Sequence, residues 1–188
     1  MAIQDIRNYT GQITQENPQI RIRLNEELHP RWAHCDMISR YLGHLTGTLD
    51  LEKLEKSEVA ELGDSVNYVA NELLENAIKE RSGGSIEICS GAKGHTVTLV
   101  VSNRIEAAKS EKFKASLQKL FDGESSLEEK FFATMEHNEA HPEAKVSGLG
   151  FLTMMIHHGA DLSWRFESGE PAHPGRVSVS ARLTASVF

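Results

Sequence analysis

The apolar stripe between Ser57 and Arg81 constrains the fold most, because it predicts one long helix with a face committed to a core. A second stripe on the same segment carries Glu72, Asn76 and Lys79 at the same three- and four-residue steps. The apolar positions of the first stripe are Val59, Leu62, Val66, Val69, Leu73 and Ala77. The sequence therefore predicts a helix with one buried and one polar face.

The polar face of this helix has two interpretations. A carboxylate, a carboxamide and an ammonium group on one face are able to orient a nucleophile, coordinate Mg²⁺ and meet a phosphate. The same residue types are also typical of a solvated helix flank. The helix alone leaves both interpretations open.

A glycine pair further along the chain bears on this choice. Ser147, Gly148, Leu149 and Gly150 run directly into an apolar segment that ends at Ile156. Glycines at the start of a helix let backbone N–H groups approach an anion, and the helix dipole favours negative charge there. A tight turn is the alternative interpretation of such a pair.

The two segments, in this order, resemble the GHKL superfamily, the ATP-binding domains of histidine kinases, gyrase-type ATPases and their relatives. Glu72 and Asn76 match the family's N-box, and Ser147, Gly148, Leu149 and Gly150 stand in the place of its G2 box. The resemblance implies that Glu72 is catalytic, that Asn76 is the magnesium ligand, and that ATP and Mg²⁺ are the cofactors. It is greatest for stand-alone SiaB-like regulators and anti-sigma-factor serine kinases.

The family's G1 box is degenerate in this chain. Its Asp-x-Gly-x-Gly element normally ends a strand, whereas here the strand Thr96–Val101 runs into Ser102 and Asn103. Either side chain is able to hydrogen-bond adenine, but a neutral partner makes a weaker contact than an aspartate. Lys79 on the polar face of the helix and Lys145 in the polar segment Glu136–Lys145, which has the composition of a lid, are further candidate phosphate contacts. A solvated loop lysine is the alternative interpretation of Lys145.

Alternating strands and helical stripes predict the remaining architecture. We expect strands at Ile20–Leu24, at residues 86–88 and 96–101, at Asp161–Glu167 and around residues 177–183, with helices near residues 31–45, 113–121 and 127–135. The predicted fold is α+β, a two-layer α/β sandwich of the histidine-kinase-like (Bergerat) type, with a mixed, mainly antiparallel sheet and helices on one face. Residues 1–18 are predicted to be an N-terminal arm, with or without an edge strand, and residues 19–188 the ATP-binding domain.

The charge composition excludes some classes of binding partner. The 20 basic and 27 acidic residues give a net charge of −7, which argues against nucleic acid and anionic membranes as partners. No long apolar run or signal peptide is evident, so a cytoplasmic location is expected. Cys35 and Cys89 lack metal-type spacing and are expected to be reduced thiols. His137 and His141 do have a four-residue spacing, but no cysteine lies nearby and the polar residues with Pro142 indicate a loop, so a zinc site is not expected there.

Two functional hypotheses follow from the residues and the resemblance. In the first, the protein is an ATP-dependent serine or threonine kinase, with or without phosphatase activity, that acts on a small anti-sigma-antagonist-like partner. In the second, it is a degenerate binding module that regulates a partner without turnover, as the missing G1 aspartate suggests. A homodimer is compatible with either hypothesis.

Overall fold

The structure is a computed structural model of the chain, and it describes residues 3–16, 18–26, 32–46, 48, 54–143, 148–169 and 174–185. The strands within these ranges are β1 (Ile3–Ile6), β2 (Ile20–Leu24), β3 (Ile86–Lys93), β4 (Thr96–Ile105), β5 (Asp161–Glu167) and β6 (Gly175–Thr184). The helices are α1 (Gln12–Glu16), α2 (Trp32–Thr46), α3 (Lys56–Glu80), α4 (Ala107–Phe121), α5 (Leu127–Ala140) and α6 (Leu149–His157).

The described strands form one sheet in the order β1-β5-β6-β4-β3-β2, and every neighbouring pair is antiparallel. The prediction of a mixed sheet was therefore wrong. Strands β3 and β4 are joined by a two-residue turn, Gly94–His95, a connection that antiparallel neighbours allow and parallel ones do not. The predicted edge strand in the arm is present as β1, which pairs with β5.

Helix α3 packs on β3, β4 and β6. Its apolar stripe faces the apolar side chains of the sheet. Its buried side chains include Val66, Val69, Leu73 and Leu74, and α2 packs along its other side. We call the sheet surface under α3 the helix face; it presents Leu99, Val101, Trp164, Val179 and Leu183. The α+β sandwich predicted from the sequence is thus confirmed at the level of a helical layer on a sheet.

The opposite surface of the sheet, which we call the back face, is covered as well. Its centre carries four buried serines, Ser102, Ser163, Ser178 and Ser180. Gln15 of α1 donates hydrogen bonds to Ser102 and Ser178 at 3.2 and 3.3 Å. The prediction of helices on one face only was therefore wrong, because the arm folds over a strip of hydroxyl groups that it can satisfy with its own polar side chains.

Several elements extend beyond their predicted limits: β3 runs on to Lys93, and α4 begins at Ala107. Strand β4 continues through Ser102–Ile105, since these residues pair with Gly175–Ser178 of β6. Helix α5 continues to Ala140, so the first part of the predicted polar loop is helical. No helix in the described ranges is long and apolar enough to cross a membrane.

Candidate functional site

The candidate site lies where the polar face of α3 meets the start of α6. Gly150 packs directly against Glu72: a Cβ atom added to Gly150 would lie 2.5 Å from Oε2 of Glu72. A larger residue at position 150 would therefore displace the carboxylate. The fold brings together the two segments that the sequence singled out.

The start of α6 depends on a glycine backbone. Gly148 is the N-cap of the helix and has a φ of +115°, which residues with a side chain rarely adopt. Its carbonyl accepts the first backbone hydrogen bond of the helix, from Leu152 at 3.1 Å. Leu149 is the first residue of the helix, and its carbonyl accepts a hydrogen bond from the Thr153 hydroxyl. Gly150, which packs against Glu72, belongs to this first turn, whose backbone N–H groups a helix leaves without internal partners.

Glu72 is half-buried, and its environment disfavours the charged form. Burial raises the pKa of its carboxyl group, and the neighbouring Glu75 raises it further, while Lys79 acts in the opposite direction. A carboxyl group whose pKa is raised toward neutrality is better suited to accept a proton than an exposed one.

Asn76 lies one turn beyond Glu72 on the same side of α3 and is partly buried. Among the described residues its side chain makes no hydrogen bond, whereas Asn71 donates to Glu75 at 2.9 Å. The Asn76 amide oxygen is therefore available to a ligand. Lys79 is exposed at the end of the same stripe, and its charge acts on Glu72.

The two candidate adenine contacts lie on opposite faces of β4. Ser102 is on the back face, 2% exposed, with its hydroxyl 2.8 Å from that of Ser178. Asn103 alternates onto the helix face between Val101 and Ile105, and its amide donates to the carbonyl of Arg104 at 3.0 Å. The structure therefore brings Asn103 to the side of the sheet that holds Glu72, and it does not bring Ser102 there. Lys145 and Ser147 lie outside the described residues.

A polar seam between α3 and α6, which no sequence motif predicted, continues from Glu72. Tyr68, one turn before Glu72, stacks on His158 with ring centroids 4.2 Å apart, and Thr153 faces its hydroxyl group. Nδ1 of His158 lies 3.2 Å from the Ser65 hydroxyl. Ser65 and Tyr68 precede Glu72 at helical steps, so extending the polar stripe toward the N-terminus of the helix would have found both.

The two cysteines and the pair His137 and His141 are the remaining titratable candidates from the sequence. Cys35 and Cys89 are buried and free, and burial raises the pKa of the Cys35 thiol to about 11, so this thiol is protonated at neutral pH. The rings of His137 and His141 lie 4.9 Å apart. Within the described part of the chain, no group of three or more His, Cys, Asp or Glu residues could hold a metal ion.

One of three comparisons with known proteins gives a match. Neither a protein-family profile nor a curated protein sequence matches this chain. Among solved structures, it is similar to a chain in the crystal structure of the SiaB–SiaC complex from Pseudomonas aeruginosa, with a TM-score of 0.57 and 15% sequence identity. The match covers 92% of this chain and 94% of that chain. The similarity extends over nearly the whole of both chains, so the two chains share their fold.

Proposed function

We propose that this protein is an ATP-binding signalling regulator of bacterial partner-switching type that phosphorylates a serine or threonine of a small anti-sigma-antagonist-like protein. The contact between Glu72 and Gly150 carries this proposal, because it joins a half-buried carboxylate to the start of a glycine-capped helix. A base beside an anion-binding backbone is the combination that phosphoryl transfer to a hydroxyl group requires.

Each residue of the site has a role in this proposal. Glu72 orients the acceptor hydroxyl and accepts its proton, a role favoured by its raised pKa. The N–H groups that follow Gly148, including those of Leu149 and Gly150, contact phosphate oxygens. Asn103 is the candidate adenine contact, because it shares a sheet face with α3.

The residues around Asn76 fit a magnesium ion that is held mainly by the nucleotide. Mg²⁺ usually keeps several waters and takes one or two protein oxygens together with phosphate oxygens. The Asn76 amide oxygen supplies one such ligand and has no hydrogen-bond partner among the described residues. When bound, Mg²⁺ and ATP supply the activated phosphoryl group; the protein supplies position and the base.

The identity of the partner is proposed from the structural similarity. The related fold was solved in a complex of SiaB with SiaC. A small regulatory protein is therefore the proposed partner here, and the net charge of −7 favours a partner with a neutral or basic contact surface.

The second candidate function is a pseudokinase that binds the same partner without turnover. Two observations favour it. Ser102 points away from the site, and the Asn103 amide already donates to the backbone. An acidic residue that could contact adenine is thus absent from β4.

The deciding experiment is calorimetric titration of ATP and ADP into the full-length chain, with and without Mg²⁺. We expect binding that strengthens with Mg²⁺, and a loss of the Mg²⁺-dependent part in Asn76→Ala. The matched control is Asn67→Ala, the same substitution on the α2 side of the same helix, where Asn67 lies against Gly43.

The outcomes separate the two candidates. Absence of heat from either nucleotide in the unmutated protein would overturn the enzyme proposal. Binding that is unchanged in Asn76→Ala would overturn the metal assignment alone. If the nucleotide binds, transfer of radiolabel from ATP to candidate partner proteins, and its loss in Glu72→Gln, distinguishes a kinase from a pseudokinase.

A further inference from the structure

A second charged region lies at one end of the back face, on the side of the sheet away from α3. Three arginines from three strands, Arg23, Arg104 and Arg176, line a cavity of about 610 Å³. Gly84 and Ser85, in the turn before β3, form part of its wall. The cavity shares no lining residue with the Glu72–Gly150 contact.

The arginines are placed in a way that costs stability in the absence of an anion. Arg104 and Arg176 lie directly opposite each other on the paired strands β4 and β6. Like charges at directly opposed positions of an antiparallel pair destabilise it. A compensating negative charge is therefore expected between them.

The carboxylates of the protein compensate this charge only in part. Arg176 contacts Glu87 at 3.4 Å, and Arg23 donates to the Ser85 hydroxyl at 3.1 Å. Arg104 makes no ion pair with any described residue. Glu87 and Glu167 are the only carboxylates among the described lining residues, so three guanidinium groups face two carboxylates.

We propose that Arg23, Arg104 and Arg176 form an anion site that takes a compact phosphate group, either free phosphate or a phosphate monoester. A guanidinium group binds two phosphate oxygens at once. A tetrahedral phosphate also presents oxygens to side chains from several strands, whereas a planar carboxylate presents only two. The N–H of Gly84 is not a contact of this site, since it donates to Glu26 at 3.0 Å. Asn103, the candidate adenine contact, also lines this cavity, but Glu72, Asn76, Gly148 and Gly150 do not.

The test is a titration of the ¹⁵N-labelled full-length chain, followed by NMR at constant ionic strength. One arm uses inorganic phosphate and the other phenyl phosphate, which separates a free-phosphate site from a monoester site. We expect saturable shifts at the amides of Ser85, Arg104 and Arg176, and at least tenfold weaker binding in Arg104→Gln. Asn76→Ala should keep these shifts, because it alters only the nucleotide site.

The matched control is Arg182→Gln, which makes the same change on the same face at the other end of β6, where Arg182 lies 4.0 Å from Asp161. Binding in this control should equal that of the unmutated chain. The proposal is overturned if neither anion gives saturable shifts, if Arg104→Gln binds as tightly as the control, or if the only shifts lie at Gly148–Gly150. If circular dichroism shows that Arg104→Gln does not fold, Arg23→Gln replaces it, and the same outcomes apply.

Discussion

At the scale of single residues, Glu72 is the position where stability and proposed function oppose each other. Its carboxylate is half-buried beside Gly150 and Glu75, and both burial and the neighbouring charge raise its pKa. The folded protein therefore loses stability when Glu72 ionises. Residues that cost stability in this way are concentrated at functional sites.

The first prediction follows from the direction of this shift. Because the folded-state pKa lies above the ordinary value of 4.5, the folded chain binds more protons than the unfolded chain in the window between the two values. Stability falls as the pH rises through that window, and the cost is largest above it. Glu72→Gln should therefore raise the free energy of unfolding at pH 7, measured by urea denaturation.

The same substitution should give no stability gain well below pH 4.5, where the carboxyl group is protonated in both states. Glu61→Gln is the control, since Glu61 is an exposed carboxylate on the same helix. A gain of equal size in both variants, or a Glu72→Gln gain that persists at low pH, would contradict the assignment of the cost to ionisation of Glu72.

At the scale of elements, α5 differs from its neighbours because none of its side chains is buried. It packs against α6, where Phe131 meets His157 edge to face at 5.4 Å. Its start is stabilised by a capping box: Ser126 accepts from the N–H of Glu129 at 3.1 Å, and Glu129 accepts from the N–H of Ser126 at 2.8 Å. Local contacts therefore contribute much of the stability of α5.

The second prediction concerns local opening of this helix. We expect amide hydrogen exchange in α5 to be much faster than in the buried middle of α3, since α5 can open without exposing a core. Ser126→Ala should accelerate exchange in α5 roughly fivefold, because loss of an N-cap costs about 1 kcal/mol.

Global stability should change little in Ser126→Ala, and Ser116→Ala, which removes a mid-helix serine from α4, should leave exchange in α5 unchanged. Equal protection of α5 and α3 in the unmutated chain would show that α5 belongs to the main cooperative unit.

At the scale of the whole molecule, the arm is an integral part of the sheet. β1 extends the sheet beyond β5, and Asp5 forms a two-point ion pair with Arg165 at 2.8 Å for each contact. Thr10 lies 3.3 Å from Ser180 across the back face. Tyr9 is packed so tightly there that burial raises its pKa to about 12.

The third prediction follows from these contacts. Deleting residues 1–16 should lower the free energy of unfolding by at least about 2 kcal/mol, since each hydrogen bond to the back face contributes about 1 kcal/mol. The deletion also exposes the edge of β5, so we expect self-association in size-exclusion chromatography.

Ile13→Ser is the control for the deletion, because the Ile13 side chain is 77% exposed and does not belong to the buried contact between the arm and the back face. An unchanged urea midpoint in the deletion variant would show that the back face does not depend on the arm.

The sequence by itself determined the elements and their buried sides. The three- and four-residue spacing of apolar side chains predicts α3 whatever surrounds it, and strict alternation predicts β2 and β5 with one apolar face. The polar stripe with Glu72 and Asn76, and the glycine pair before α6, are local patterns of the same kind. Such features depend on the local periodicity of the sequence, so they can be predicted without knowledge of the fold.

Only the tertiary structure decided what those elements meet. Ser102 and Asn103 are adjacent in sequence, yet pairing of β4 with β6 sends one to the back face and the other to the helix face. The arm's position on the back face, the seam of Tyr68 and His158, and the contact of Glu72 with Gly150 join residues far apart in the chain. These contacts depend on how the hydrophobic surfaces of whole elements pack together, and no local pattern encodes that.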